Sequence, residues 1–187
     1  MSGSRPAVFL DRDGVLNEPV VRQGTPHPPA SAGDAVLCAG AEEACQLLRS
    51  AGLLLIVVTN QPDLARGSTS RETVDRINHE LQSQLELDDV FVCPHDDRDD
   101  CACRKPKPGL LLKAASRWGI DLQSSVMIGD RWRDVEAGRR AGCATVLVRR
   151  SYVEKSSILA DHVADNLRQA VHWILLSTGS SMAGGQY

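Results

Sequence analysis

At 187 residues the chain is long enough for one domain with a sizeable core and short for two. A net charge of −3 without any dense run of Lys or Arg argues against a nucleic-acid partner, which calls for a basic patch. Residues 1–6 lack the apolar core of a secretory signal, and the longest apolar stretch, residues 53–58, is far too short to span a bilayer. The expectation is a cytoplasmic protein with no membrane partner, acting as a monomer.

Residues 7–10 form a short apolar run that ends in an acidic loop, the pattern of a first strand. Residues 22–34 (RQGTPHPPASAGD), rich in Pro and Gly, read as a surface loop bordering the site. Residues 41–50 have helical spacing at Ala44, Leu47 and Leu48 and stop at Ala51-Gly52, a C-cap pattern. Residues 53–58 are apolar throughout, as in a strand buried on both faces. Residues 70–87 follow as a helix, with Ser70 as N-cap and Val74, Ile77, Leu81 and Leu85 along one stripe. Residues 90–92 are strand-like, and residues 108–118 form a helix with proline in its first turn. A strand at 125–128, a helix at 131–141, a strand at 144–148 and a closing amphipathic helix at 166–176 complete the pattern. Residues 177–187 are small and polar and are expected to form a disordered tail, leaving residues 1–176 as a single domain.

Strands alternating with helices define an α/β fold, a Rossmann-like three-layer sandwich around a mostly parallel sheet. Such sheets bind ligands beyond the carboxyl ends of their strands. Asp11 and Asp13 fall at one such end, Thr59 at a second and Asp130 at a third.

Four motifs offer chemistry there. In Asp11-Arg12-Asp13-Gly14, two carboxylates two residues apart can reach one ligand if the chain turns, and Gly14 permits the turn. One could attack phosphorus while the other handles the leaving-group proton; an acidic turn that merely caps the next element would look the same. Thr59, Asn60 and Gln61 place a hydroxyl and backbone N–H groups where phosphoryl oxygens could sit, although a strand-to-loop cap explains a lone Thr-Asn equally well. In Arg104-Lys105-Pro106-Lys107-Pro108-Gly109, a lysine ahead of a helix N-terminus can neutralise a phosphate; solvated basic turns are also common. In Gly129-Asp130-Arg131 with Asp134, Asp130 can bind Mg²⁺ alongside Asp11 while Asp134 orients the ligands, against the alternative of helix capping. Arg131 is a candidate substrate contact. His27, His79, His162 and His172 read as surface or packing residues.

Cys93, His95, Cys101 and Cys103 cluster, whereas Cys38, Cys45 and Cys143 are scattered. Three thiolates and an imidazole across residues 93–103 suit a closed, structural Zn²⁺ site, the competing possibility being reduced thiols or one disulfide. The cluster directly precedes Arg104 and Lys105, whose direction it would fix.

Taken together, Asp-x-Asp-Gly, Thr, Lys and Gly-Asp-x-x-x-Asp in this order resemble the haloacid dehalogenase (HAD) superfamily of phosphatases over about residues 7–150. The resemblance implies Asp11 as nucleophile, Asp13 as general acid/base, and Thr59 and Lys105 as phosphate stabilisers. It also implies Mg²⁺ held by Asp11, the Asp13 backbone carbonyl and Asp130. The cysteine cluster with Arg-Lys-Pro-x-Pro-Gly, and Thr-Asn-Gln with Ala65-Arg66-Gly67, is similar to the branch of D-glycero-D-manno-heptose 1,7-bisphosphate 7-phosphatases and histidinol-phosphate phosphatases, closer to the heptose side. That branch implies no large cap domain, a small phosphorylated sugar as substrate, and a recognition role for Arg104. The alternatives are histidinol-phosphate hydrolysis and, in a different class, polynucleotide 3′-phosphatase activity, which needs a cationic groove.

Overall fold

The computed structural model describes residues 4–22, 24–152 and 159–182, with side chains up to residue 177. Its centre is a six-stranded sheet of β1 (Ala7–Leu10), β4 (Leu54–Asn60), β5 (Asp89–Cys93), β6 (Val126–Gly129), β7 (Ala144–Val148) and β8 (His162–Ala164), in spatial order β5-β4-β1-β6-β7-β8. Every pairing in it is parallel. β1 and β4 are buried along nearly their whole length, which is why both read as uninterrupted apolar runs.

Successive side chains alternate between two cores. Val8, Leu10, Leu55 and Val57 pack on one face beneath α1 (Ala41–Ser50), α2 (Arg71–Gln84) and α5 (Leu167–Met182). Ala7, Phe9, Ile56 and Val58 pack on the other beneath α3 (Gly109–Trp118) and α4 (Trp132–Ala141). The expected three-layer α/β sandwich is the fold observed.

Starting from the central β1, the chain builds β4 and β5 on one side, then crosses back to build β6, β7 and β8 on the other. The order reverses beside β1, so the carboxyl ends of β1, β4 and β6 open onto one crevice. Asp11 follows β1, Thr59 and Asn60 end β4, Asp130 follows β6, and Cys93 ends β5.

Three departures from the sequence expectations stand out. Residues 22–34 are not wholly irregular: β2 (Val20–Arg22) and β3 (Thr25–His27) pair as an antiparallel hairpin. β8 was absent from the expected pattern because it is three residues long. The last helix does not end at residue 176 but runs on to Met182, into the expected tail; residues 183–187 lie outside those described. The shortened α2 keeps its Ser70 cap, whose hydroxyl accepts from the Thr73 N–H at 3.1 Å. No helix among the described residues is long and apolar enough to cross a membrane.

Candidate active site

The turn after β1 is fixed by backbone bonds. Asp11 N–H donates to Ile128 O at 3.0 Å, keeping the residue registered on β6, and Gly14 N–H donates to Asn17 O at 2.8 Å. Gly14 has φ +94°, and a Cβ there would stand 2.3 Å from Asp130 Oδ2. Glycine is therefore required both for the turn and for the approach of Asp130. Gly129 plays the matching part on β6, where a Cβ would stand 2.0 Å from that of Asp134.

Lys105 is the hub. Its Nζ lies 2.9 Å from Asp11 Oδ1 and 2.6 Å from Asp134 Oδ1, and donates to Val58 O at 2.7 Å. The ammonium group is about 2% exposed, and all three of its protons are engaged. Burial alone would lower its pKa, but Asp11 and Asp134 outweigh burial and raise it, so Lys105 stays charged. Asn60 clamps the lysine's backbone: its amide donates to Lys105 O and accepts from Lys105 N–H, both at 3.1 Å.

Oxygens of Asp11, Asp130 and Asp134 all lie within 4.8 Å of one another. Burial pushes Asp11 up to about 6 against the pull of Lys105. Burial, then Asp11 and Asp134, pushes Asp130 well above the ordinary carboxylate range. Asp130 Oδ1 is buried with no hydrogen-bond partner among the described residues. Two buried carboxylates and one partly buried one against a single ammonium, with a carboxylate oxygen left over, suit a hard divalent cation. Both oxygens of Asp134 already have partners, Lys105 Nζ at 2.6 Å and the Arg131 N–H at 3.0 Å.

Asp13 points elsewhere. It accepts from Asn17 Nδ2 at 2.9 Å, Gln61 Nε2 at 2.8 Å and Arg12 at 2.9 Å. Gln61 also donates to Thr59 Oγ1 at 3.0 Å, and the fully buried Arg12 reaches across to Asn78 Oδ1 on α2 at 2.9 Å. Asn60 and Gln61 line the cavity, as expected, but their side chains hold Lys105, Asp13 and Thr59 in position.

Cys93, His95, Cys101 and Cys103 converge. The Cys93–Cys101, Cys93–Cys103 and Cys101–Cys103 sulfur separations are 3.7, 3.3 and 3.4 Å, and His95 Nδ1 lies 3.6 and 3.3 Å from Cys93 and Cys103. These are far from a bonded S–S distance of ~2.05 Å. They are near the ~3.5–3.8 Å edges of a tetrahedron built on Zn–S of ~2.3 Å and Zn–N of ~2.0 Å. The same loop holds Arg104, which donates to His95 O at 3.1 Å and to Asp97 Oδ1 at 2.7 Å.

One cavity of about 250 Å³ is lined by Asp11, Asp13, Thr59, Lys105, Asp130 and Asp134. Its rim carries Arg66, Arg104, Arg131 and Arg133, and the β2–β3 hairpin contributes Thr25 to Pro28. Of the histidines read as surface or packing residues, His27 lines this cavity and His162 packs, stacked on Trp173 at 5.1 Å. Arg133, outside the motif residues singled out above, also lines the cavity, its guanidinium over Trp132 at 5.2 Å and 3.7 Å from Asp97. Its signal was available: it stands between Asp130 and Asp134 on the first turn of α4.

A parallel sheet that gathers carboxylates and one buried lysine at its carboxyl ends defines a HAD-type phosphatase. A HAD-hydrolase-like family model matches residues 102–170. The D-glycero-β-D-manno-heptose-1,7-bisphosphate 7-phosphatase of Vibrio cholerae is 37% identical over 92% of this chain and 97% of its own length. The Escherichia coli K12 enzyme of the same name is 36% identical over 80% of this chain and 82% of its own. The crystal structure of a D,D-heptose 1,7-bisphosphate phosphatase from B. bronchiseptica, complexed with magnesium and phosphate, superposes with a TM-score of 0.81 at 30% identity, covering 92% of this chain and 99% of that one. The chain belongs to the HAD phosphatase family of these heptose-bisphosphate phosphatases.

Proposed function

We propose that the protein removes the 7-phosphate of D-glycero-D-manno-heptose 1,7-bisphosphate through an aspartyl-phosphate intermediate. The similarity to the named relatives supports the substrate. The carrying observation is that a single cavity holds both the Asp11–Lys105 centre and an arginine rim, room for a reacting and a distal phosphate.

In this reading an Asp11 carboxylate oxygen attacks phosphorus in line as the bond to the sugar oxygen breaks. Asp13 gives its proton to the departing alkoxide, then takes one from the water that attacks the phospho-aspartate, releasing inorganic phosphate and regenerating Asp11. Lys105 and Thr59 offset the charge that develops on the phosphoryl oxygens. Asp11, the Asp13 carbonyl and Asp130 would hold Mg²⁺, which when bound shields the nucleophile from the substrate's negative charge. Cys93, His95, Cys101 and Cys103 would hold a structural Zn²⁺ that fixes Arg104, with Arg104 and Arg131 among the contacts to the substrate. The protein would act as a monomer in the cytoplasm on this small soluble sugar phosphate.

The test is phosphate release with Mg²⁺ from the heptose bisphosphate and, in parallel, from histidinol phosphate. The bisphosphate should be preferred, and Asp11→Asn should abolish turnover of both. A clear preference for histidinol phosphate would overturn the substrate assignment, and an active Asp11→Asn protein would overturn the mechanism.

A further inference from the structure

The segment following β7 runs back over the turn after β1 and is tied to it. Arg150 Nε donates to Gly14 O at 2.7 Å, and its other nitrogens reach Glu18 at 3.1 Å and Cys38 Sγ at 2.9 Å. Two residues on, Tyr152 brings its hydroxyl to the same glycine. A Cβ on Gly14 would be 2.7 Å from Tyr152 Oη and 2.3 Å from Asp130 Oδ2. The hydroxyl and the Asp130 carboxylate therefore flank one point, close enough for a single water to bridge them.

Both groups lack something. Tyr152 Oη is buried with no hydrogen-bond partner among the described residues, and so is Asp130 Oδ1. A buried phenol ordinarily finds a partner, because an unmade bond leaves its desolvation uncompensated. Here an orphan donor stands on the Oδ2 side of the carboxylate whose other oxygen, Oδ1, is without a partner, at the edge of the Asp11/Asp130/Asp134 cluster. Arg150 ties the segment that carries the phenol to the Gly14 carbonyl.

We propose that Tyr152 is a positioning residue for the cation site: its hydroxyl donates, through one bound water, to the Asp130 side of the cluster and holds that carboxylate turned towards a divalent cation. The inference rests on the Mg²⁺ site of the proposed function and adds a residue to it from outside the four motifs. Donors that orient a metal-binding carboxylate affect affinity for the ion rather than the chemistry.

The test is calorimetric titration of Mg²⁺ into metal-stripped, zinc-restored protein without phosphate, comparing wild type with Tyr152→Phe. The variant should bind Mg²⁺ about tenfold more weakly, with an unchanged thermal midpoint before Mg²⁺ is added. Wild-type binding with Tyr152→Phe within twofold of it would overturn this inference and leave the Mg²⁺ site standing. No Mg²⁺ binding by the wild type would remove both. A second measurement avoids touching Tyr152: with the chain's other tyrosine replaced (Tyr187→Phe) and tyrosine isotopically labelled, Mg²⁺ should shift the ring signals of Tyr152 in the NMR spectrum. An unaltered spectrum would also overturn the inference.

Discussion

Burial raises Asp11 from its ordinary 3.8 to about 6 even though Lys105 pulls the other way at 2.9 Å. Between those two values the metal-free native state holds a proton that the unfolded chain has already lost. The contribution of this group to stability therefore falls as pH rises from about 4 to 6, the reverse of an ordinary salt-bridged aspartate. A divalent cation must displace that proton, and below about 6 its apparent affinity should weaken by up to about tenfold per pH unit for one proton released. Mg²⁺ titrations between pH 5 and 8 check this: a dissociation constant that stays flat below pH 6 would mean that Asp11 is not a ligand. Asp11 and Asp130 were legible in the sequence because each follows an apolar run that topology delivers to the crevice, and Lys105 and Asp134 because one precedes a helix start and the other stands in a helix's first turn. The side-chain tasks of Asn60 and Gln61 were not. Both line the cavity, but their amides bind the backbone of Lys105 and the oxygens of Asp13 and Thr59, partners up to 48 positions away. Arg12 was missed for the same reason, since its partner Asn78 sits on a helix whose docking no local pattern specifies.

The loop between β5 and α3, with a single 3₁₀ turn at Asp97–Asp99 capped by Asp96, is built firmly for its length. Its four metal-type ligands, its acidic residues and its arginine form one unit: Asp96 binds Arg66 at 2.8 Å, and Asp97 binds Arg104 at 2.7 Å. Hydrogen bonds from these arginines hold both carboxyls below their usual range. If zinc closes the loop, purified protein should contain about one Zn²⁺ per chain, and Cys103→Ala should lose it. The same variant should lose at least ~3 kcal/mol of stability, because the binding energy of a structural metal is folding energy. Elemental analysis and a denaturation curve decide; a zinc-free wild type, or an unchanged midpoint in the variant, would reduce the cluster to ordinary thiols. Ligand spacing made this loop readable, whereas the β2–β3 hairpin was not. Its strands are three residues each, Pro26 interrupts one of them, and pairing rather than propensity defines them.

Across the whole molecule, a net charge of −3 conceals a strongly uneven distribution. Arg66, Arg104, Lys105, Arg131 and Arg133 all line one cavity at the carboxyl end of the sheet. Lys105 is neutralised within the carboxylate cluster, while three carboxylates face the four arginines of the rim, Asp63 and Asp96 beside Arg66 and Asp97 beside Arg104 and Arg133. Such a rim fits a second anionic group on the substrate better than a single reacting phosphate. Arg133 stands out, for its Nε is buried without a hydrogen-bond partner among the described residues, and Asp97, its neighbour at 3.7 Å, is shared with Arg104. If Arg133 meets the distal phosphate, Arg133→Ala should lower kcat/KM for the heptose bisphosphate by about 10- to 100-fold, the loss expected for a charged hydrogen bond. Turnover of a simple monophosphate such as p-nitrophenyl phosphate should change by less than about threefold, since the Asp11–Lys105 centre is untouched. Steady-state kinetics on the two substrates separate the cases. An equal fall on both would mean that Arg133 supports the first turn of α4 and so the chemistry itself; no fall on either would leave the distal phosphate to Arg66, Arg104 and Arg131.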